Sequence, residues 1–438
     1  MTALSRRTRL GYALGGISSG TYGTVPGLIL MPFLTDLLGV QAAIAGMIVF
    51  APKAWDFFLN PLAGRLSDRS RNPRGRRRPF ILRAGILLAL AFTAMFFGPT
   101  APPVAAALWV LAAFLASATV YAFFQVPYLA MSAEITDDYT ERTRMITWRV
   151  IVFTLAILVA GAAAPALVEA FGGVAGYRVM AGTMALLILA GTFGAWWGTR
   201  SVPLTRTEQA GGRLFAQLAI VLRQADARML IAAFVLQAIA IGMVLGGVVY
   251  VARHVLHDPS IATLAFVCFV APAVVLTPAW SRLSRRIGKR SGFAVATVVM
   301  TIGLLGLLTA RTGEAVPMLV AAAVVGVGYA GGQLFPLAML PDLAADDAAR
   351  TGVNRIGMIA GVWSGFELLG LALGPALLGL VLSLGGYAAS TGNTVPQSAG
   401  AQWAIVIGVS AIPAALCLLS LAPLRRYRLD DRLRAAAA

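Results

Sequence analysis

Residues 55–79 read WDFFLNPLAGRLSDRSRNPRGRRRP. The first half is apolar apart from Asp56, Asn60 and Arg65, and the run breaks at Asp68 into a short stretch crowded by Arg69, Arg71, Arg74, Arg76, Arg77 and Arg78. An apolar segment that ends abruptly in arginines reads as the cytoplasmic end of a membrane helix. Counting back from Asp68 at about 1.5 Å per residue puts Asp56 roughly 18 Å along that helix, near the middle of a hydrocarbon layer about 30 Å thick. A carboxylate at that depth is costly and marks a functional site by default.

The chain around this stretch has the composition of a polytopic membrane protein. Its 438 residues are 59% hydrophobic and only 12% charged, and the mean hydropathy of +0.81 lies outside the range of water-soluble domains of this size. The net charge of +17 sits at the ends of apolar segments rather than on a polar domain, so no nucleic-acid partner is expected. Cys268 and Cys417 fall inside separate apolar segments, where a thiol acts as a small hydrophobe, and neither a disulfide framework nor a metal site is expected from them. The start, MTALSRRTRL, runs into a long span without a small-residue cleavage site, which predicts no removable signal peptide. The sequence shows no phosphate-cradling glycine loop, no nucleophile elbow and no buried cluster of acid–base residues. Direct ATP use and an enzyme are therefore both disfavoured, and no cofactor is expected.

Apolar runs long enough to cross a bilayer fall at about 10–37, 41–66, 79–99, 103–133, 143–171 and 174–199, then at about 228–254, 260–284, 291–311, 315–342, 353–386 and 400–422. This predicts an all-α membrane protein with twelve transmembrane helices, in halves at 1–199 and 228–438 joined by a linker at 200–227. Within the linker, Leu214, Leu218, Val221 and Leu222 recur at helical spacing, predicting a short amphipathic helix at the membrane interface. The N-terminal tail, the 2–3 loop, the linker, the 8–9 loop and the C-terminal tail are basic, while loops around 38–41, 99–103, 171–175 and 385–400 carry no Lys or Arg. The positive-inside rule then puts both termini in the cytoplasm of a cell with an inner membrane.

Two internal matches indicate duplication. PLAGRLSDR at Pro61–Arg69 resembles PAWSRLSRR at Pro278–Arg286, and Tyr121–Thr143 resembles Tyr329–Thr351, sharing Tyr, Ala, Gln, the Leu-Ala-Met run, an Asp and the closing Arg-Thr. The offsets, 278 − 61 = 217 and 329 − 121 = 208, are both near half the chain. Spans 2 and 8, and spans 4 and 10, thus hold equivalent places in two six-helix halves.

On these residues the chain resembles the major facilitator superfamily. Gly64, Asp68-Arg69, Gly75 and Arg76–Arg78 are similar to its cytoplasmic signature, in which a glycine permits close helix approach and the charges form a latch that breaks as the halves rock. WDxxxNP followed by GxLSDRxRxxxGRRRPxIL resembles, more narrowly, the glycoside-pentoside-hexuronide cation symporters, the melibiose-transporter family. Tyr12 and Gly15, Thr35-Asp36 with Gly39, Pro127, Arg149, and Thr351-Gly352 with Gly357 agree with it. The resemblance implies two halves moving about a midplane site, a sugar or glycoside as small-molecule substrate, and a coupling cation. Asp56 matches the first carboxylate of the family's cation site, but the second is Asn60 here, and the acids of spans 1 and 4 fall at Gly20 and Gln125. The family's span 11 lysine falls at about Leu368, while Arg149 matches its sugar-contacting arginine.

The residues themselves favour a proton over sodium. Sodium needs several oxygen ligands to replace its water, whereas a proton needs one buried carboxylate able to exchange it. Lys53, Asp56 and Asn60 lie at i, i+3 and i+7, on one helix face. They read either as a proton or cation carrier biased by Lys53, or as a neutralised structural ion pair. Glu367 is the comparable acid of the second half and reads as a coupling group, a substrate contact or a structural bond to Gln237. Trp148 and Trp363 read as sugar-stacking platforms, with Trp148 alternatively an interfacial anchor. Tyr22, Gln125, Gln333 and Asn354 complete the candidate polar contacts. His254 and His257, at i and i+3 beside Asp258, read as an exposed polar cap rather than a metal site.

The resulting expectation is a secondary active transporter in the bilayer, a sugar or glycoside entering with protons, with one chain as the working unit. The rival is a carrier or exporter of a less polar amphipathic solute, because several polar positions of sugar carriers are Gly, Gln or Leu here.

Overall fold

The structure is a computed structural model that describes residues 4–69, 77–136, 138–200, 202, 214–352, 355–392, 395–430 and 432. Gly75, Arg76 and Asn354 lie outside the described residues. The chain divides into two compact units, residues 1–211 with 389–395, and residues 212–388 with 396–438.

The first unit is built from α1 (Arg6–Pro32), α2 (Ala42–Arg69), α3 (Arg78–Phe96), α4 (Pro103–Ile135), α5 (Tyr139–Phe171) and α6 (Gly173–Thr199). Ser5 caps α1 by accepting from the Thr8 amide at 3.2 Å. At Thr136 the backbone is extended, which ends α4, and Asp138 Oδ1 accepts from the Glu141 amide at 3.0 Å to start α5. α1 packs on α5 and α6, α3 on α4 and α6, and α2 on α4. The α1–α6 crossing is a backbone contact: a Cβ on Gly11 would lie 2.4 Å from Gly198 Cα. Only glycine fits on both sides.

The second unit holds the short α7 (Leu214–Arg223), then α8 (Ala225–Tyr250), α9 (Ser260–Ile287), α10 (Lys289–Gly306), α11 (Ala315–Thr351), α12 (Ile356–Leu384), α13 (Ala399–Val409) and α14 (Ala411–Arg426). α13 and α14 together make one span broken at Ser410. Pro413 follows closely, and its ring and missing N–H cannot continue the bonding to Val409. The duplicated segment Tyr329–Thr351 stays helical throughout, whereas its counterpart breaks at Thr136, since alanines replace the β-branched and aspartate residues there. Both units close their first span with a π-helical turn, at Phe33–Leu37 and Val251–Val255. α7 turns its apolar side to protein: Val221 is fully buried, and Leu218 and Leu222 pack against the same core as Leu230 and Trp363. The face expected at the membrane interface is thus occupied by α8 and α12.

Eleven helical segments among the described residues are long and apolar enough to cross a membrane, by length and composition. The twelfth long helix is α1, whose Gly, Ser, Thr and Tyr residues make it too polar for the same test. It is instead largely buried by its neighbours. In the second unit α8 and α12 also meet backbone to backbone, because a Cβ on Gly374 would lie 2.4–2.5 Å from the Gly242 backbone. Gly374→Leu should therefore force α8 and α12 apart and destabilise the unit by about 1–3 kcal/mol or more. A lower unfolding midpoint in detergent checks this, and an unchanged midpoint would refute the contact.

Candidate functional site

In the first unit the candidate residues converge on one polar cluster. Asp56, on α2, is 8% exposed, and its Oδ1 is buried without a hydrogen-bond partner. A lone buried oxygen of this kind costs free energy unless something binds it. Lys53 forms no direct salt bridge with it among the described residues, but the two groups are close enough for their charges to interact, and the Lys53 ammonium also lies against α1, 3.5 Å from where a Gly27 Cβ would sit. The Lys53 charge thus acts on Asp56 without a bonded contact. Asn60, one turn beyond Asp56, is half-buried.

Around this acid, Ser19 Oγ donates to Gln125 Oε1 at 2.5 Å, linking α1 to α4. Tyr22 was expected to reach substrate, but it is 5% exposed, with its hydroxyl 3.1 Å from Ser117 Oγ and its ring 4.4 Å from that of Tyr121. Tyr121, half-buried, is the open member of the pair, and both hydroxyls lie close enough to Asp56 to interact with its charge. Arg149, on α5, stands over the rings of Tyr128 at 5.5 Å and Phe153 at 6.0 Å. Its Nε is buried and unpartnered. Tyr128 is fixed in turn by donating to the Tyr12 carbonyl at 2.7 Å. Gly20, where the resemblance expects an acid, has no room for one, because a Cβ there would lie 2.8 Å from the Phe153 carbonyl oxygen.

The second unit repeats the arrangement. Glu367, on α12, lines a small cavity with Gln333, Tyr329, Gln237 and Phe234. Gln333 Nε2 donates to the Tyr329 hydroxyl at 2.9 Å, in the lining that both share with the Glu367 carboxylate. At the duplication offset of 208, Tyr329 and Gln333 are the counterparts of Tyr121 and Gln125. Each unit therefore sets a Tyr-x3-Gln pair on its fourth span beside one carboxylate, Asp56 buried and Glu367 half-buried. That signal stood in the repeat match. Gln237 is not the structural partner of Glu367, because its Nε2 donates to Thr297 Oγ1 at 2.9 Å and Ser420 Oγ at 3.1 Å.

Trp363 does not line this cavity. It is 2% exposed and stacks behind Phe234 with ring centroids 4.3 Å apart, since its face of α12 packs into the core beside α8. Trp148 is 46% exposed, and among the described residues no bond or ring contact joins it to the Arg149 cluster. His254 is buried rather than an exposed cap, with Nε2 2.9 Å from the Tyr387 hydroxyl. His257 is exposed.

Of the expected latch, Gly64 is not a close-approach point, because a Cβ there would meet Val126 at an ordinary 3.6 Å. Asp68 and Arg69 end α2. Arg77 is 1% exposed, and its Nε donates to Glu134 Oε1 at 2.7 Å. Arg78 donates to the Val202 carbonyl. Glu134 was not among the sequence candidates, although it sits at the end of the repeat match opposite Asp342. There Lys289 Nζ pairs with Asp342 Oδ2 at 2.5 Å, so each unit clamps the start of its third span to the end of its fourth.

A family model described as MFS/sugar transport protein matches residues 11–431. The chain belongs to this family. It is a multi-pass membrane transporter of the major facilitator fold, and the family and its structural neighbours are transporters rather than enzymes. The isoprimeverose transporter of Lactiplantibacillus pentosus is 25% identical, the match covering 96% of this chain and 88% of that protein. The sodium-dependent lysophosphatidylcholine symporter 1 of Mus musculus is also 25% identical, over 98% of this chain and 87% of that one. A bacterial homologue of the human drug peptide transporters PepT1 and PepT2 superposes with a TM-score of 0.70 at 13% identity, covering 99% of each chain. At that identity the likeness shows the fold alone.

Proposed function

We propose that this transporter moves a sugar or glycoside by alternating access, in symport with protons, as a monomer with both termini in the cytoplasm of an inner membrane. The observation that carries the coupling is the buried, unpartnered Asp56 oxygen, one carboxylate beside an amide rather than an oxygen cage, which suits a proton better than sodium. Asp56 binds and releases the proton, with Lys53 and Asn60 on its helix face, and Glu367 is the matching acid of the second unit. Arg149, Gln125, Tyr121 and Gln333 offer the directional donors and acceptors that hydroxyl-rich solutes require. The family description and the isoprimeverose relative support the substrate class.

An amphipathic solute is the second reading, favoured by the relative named for lysophosphatidylcholine. Uptake of labelled mono- and disaccharides, and of a labelled lysophospholipid, into vesicles under an imposed proton gradient, a sodium gradient or neither separates the two. The expected result is proton-driven sugar accumulation that Arg149→Lys lowers at least about tenfold, since an ammonium cannot replace a planar two-pronged donor. Indifference to every sugar together with lysophospholipid uptake would overturn the carbohydrate reading.

A further inference from the structure

The ends of α1 and α6 carry a feature that transport of a soluble solute does not use. Arg7 and Arg200 both stand over the ring of Trp197, each with its guanidinium carbon 5.3 Å from the ring centroid. Trp197 is 56% exposed, both arginines are exposed, and among the described residues neither has a carboxylate partner. Two like charges gathered on one ring repel each other, and an anion between them relieves that cost.

The backbone holds the two cations in this arrangement. Gly11 and Gly198 touch where α1 crosses α6, and a Gly198 Cβ would lie 3.0 Å from the Arg7 carbonyl oxygen, so both arginines spring from a rigid crossing. From this point an exposed apolar strip runs along the seam. Leu10 and Leu14, one turn apart on α1, line one side, and Phe193 and Trp197 on α6 line the other, exposed by 47%, 37%, 45% and 56%. The two sides are joined because Leu14 packs onto Gly194, where a Cβ would meet it at 2.7 Å. Because Arg200 caps a membrane span, the cations sit at headgroup depth and the strip at acyl depth.

We infer that this seam is a binding site for an anionic phospholipid of the leaflet bordering the chain's N terminus. The headgroup phosphate lies between Arg7 and Arg200, and an acyl chain lies along Leu10, Leu14 and Phe193. Two cations without a carboxylate partner among the described residues favour a lipid with net negative charge over a zwitterion, whose own ammonium would be repelled.

Native mass spectrometry of the full chain in neutral detergent tests this with added dioleoylphosphatidylglycerol, dioleoylphosphatidylcholine or inorganic phosphate. Wild type should retain phosphatidylglycerol in preference to phosphatidylcholine. Arg7→Gln or Arg200→Gln alone should cost about fivefold in that retention and the double variant about twenty-five-fold, as expected for cations at a membrane surface. If the double variant fails to fold, the single variants carry the same readout. Arg178→Gln removes a guanidinium placed over Phe97 at 5.3 Å, at the other end of α6, and should change nothing. Equal retention of both lipids by wild type, undiminished retention in the arginine variants, or an equal loss in Arg178→Gln would overturn the site. Displacement of phosphatidylglycerol by free phosphate would show a small-anion site and overturn the lipid assignment.

Discussion

Asp56→Asn should abolish gradient-driven accumulation while leaving downhill movement and exchange of the same solute intact. Asparagine keeps the size of the side chain and can still hydrogen-bond, but it cannot release a proton at any working pH. The 8% exposure of Asp56 and its unpartnered Oδ1 mean that the native carboxylate has no structural bond at that atom to lose. A carrier that has lost its coupling group still equilibrates its substrate, so the inside-to-outside ratio should fall to about one whatever proton gradient is imposed, the limit set by linkage. The measurement is steady-state accumulation and counterflow in the same vesicles. If accumulation persisted at the wild-type ratio, Asp56 would not be the coupling group. Loss of counterflow as well would make it a substrate ligand.

The same geometry separates Asp56 from Glu367. Both are acids beside a Tyr-x3-Gln pair, but Glu367 is half-buried and borders a cavity, whereas Asp56 is buried and its Oδ1 has no bond. A buried carboxylate oxygen without a bond has nothing to give up when it takes a proton, and is better placed to exchange one within the transport cycle. For this reason the larger effect is expected at Asp56.

The span boundaries were legible because burial in lipid demands long apolar runs, and each predicted run lies on a helix within a few residues. The duplication was legible too, and it marked more of the site than the motif did. Tyr121 with Gln125 and Tyr329 with Gln333 are repeat partners, and each pair borders an acid within a membrane span. What sequence could not show is which way a side chain turns. Trp363 and Glu367 share one face of α12 a turn apart, yet one is walled in behind Phe234 and the other opens on a cavity. Tyr22 and Tyr121 meet ring to ring, and only packing decides which remains open. The basic loop is a further case. Charge density reads as topology, and nothing in RRRP indicates that Arg77 turns inward to an acid 57 residues away.

That inward turn leads to the second large effect. Arg77 and Glu134 are both almost completely buried, with side chains 2% and 1% exposed and a 2.7 Å contact. Removing one partner of such a pair strands the other charge in a low-dielectric site, so Arg77→Ala should cost about 3–5 kcal/mol of stability. Replacing both by apolar residues of similar volume, Arg77→Met with Glu134→Leu, should recover most of that loss, because neither charge then needs solvation. The counterpart pair in the second unit offers an internal control. Lys289 and Asp342 are 31% and 25% exposed, and water screens a pair of that kind, so Lys289→Ala should cost about 1 kcal/mol or less. Equilibrium unfolding in mixed detergent, run as a double-mutant cycle on both pairs, measures these differences directly. A stable Arg77→Ala protein with impaired transport would make Arg77 part of a moving latch. An unstable one rescued by the apolar pair would make it a fixed clamp between α3 and α4, and the moving charges would then have to be sought elsewhere on the chain.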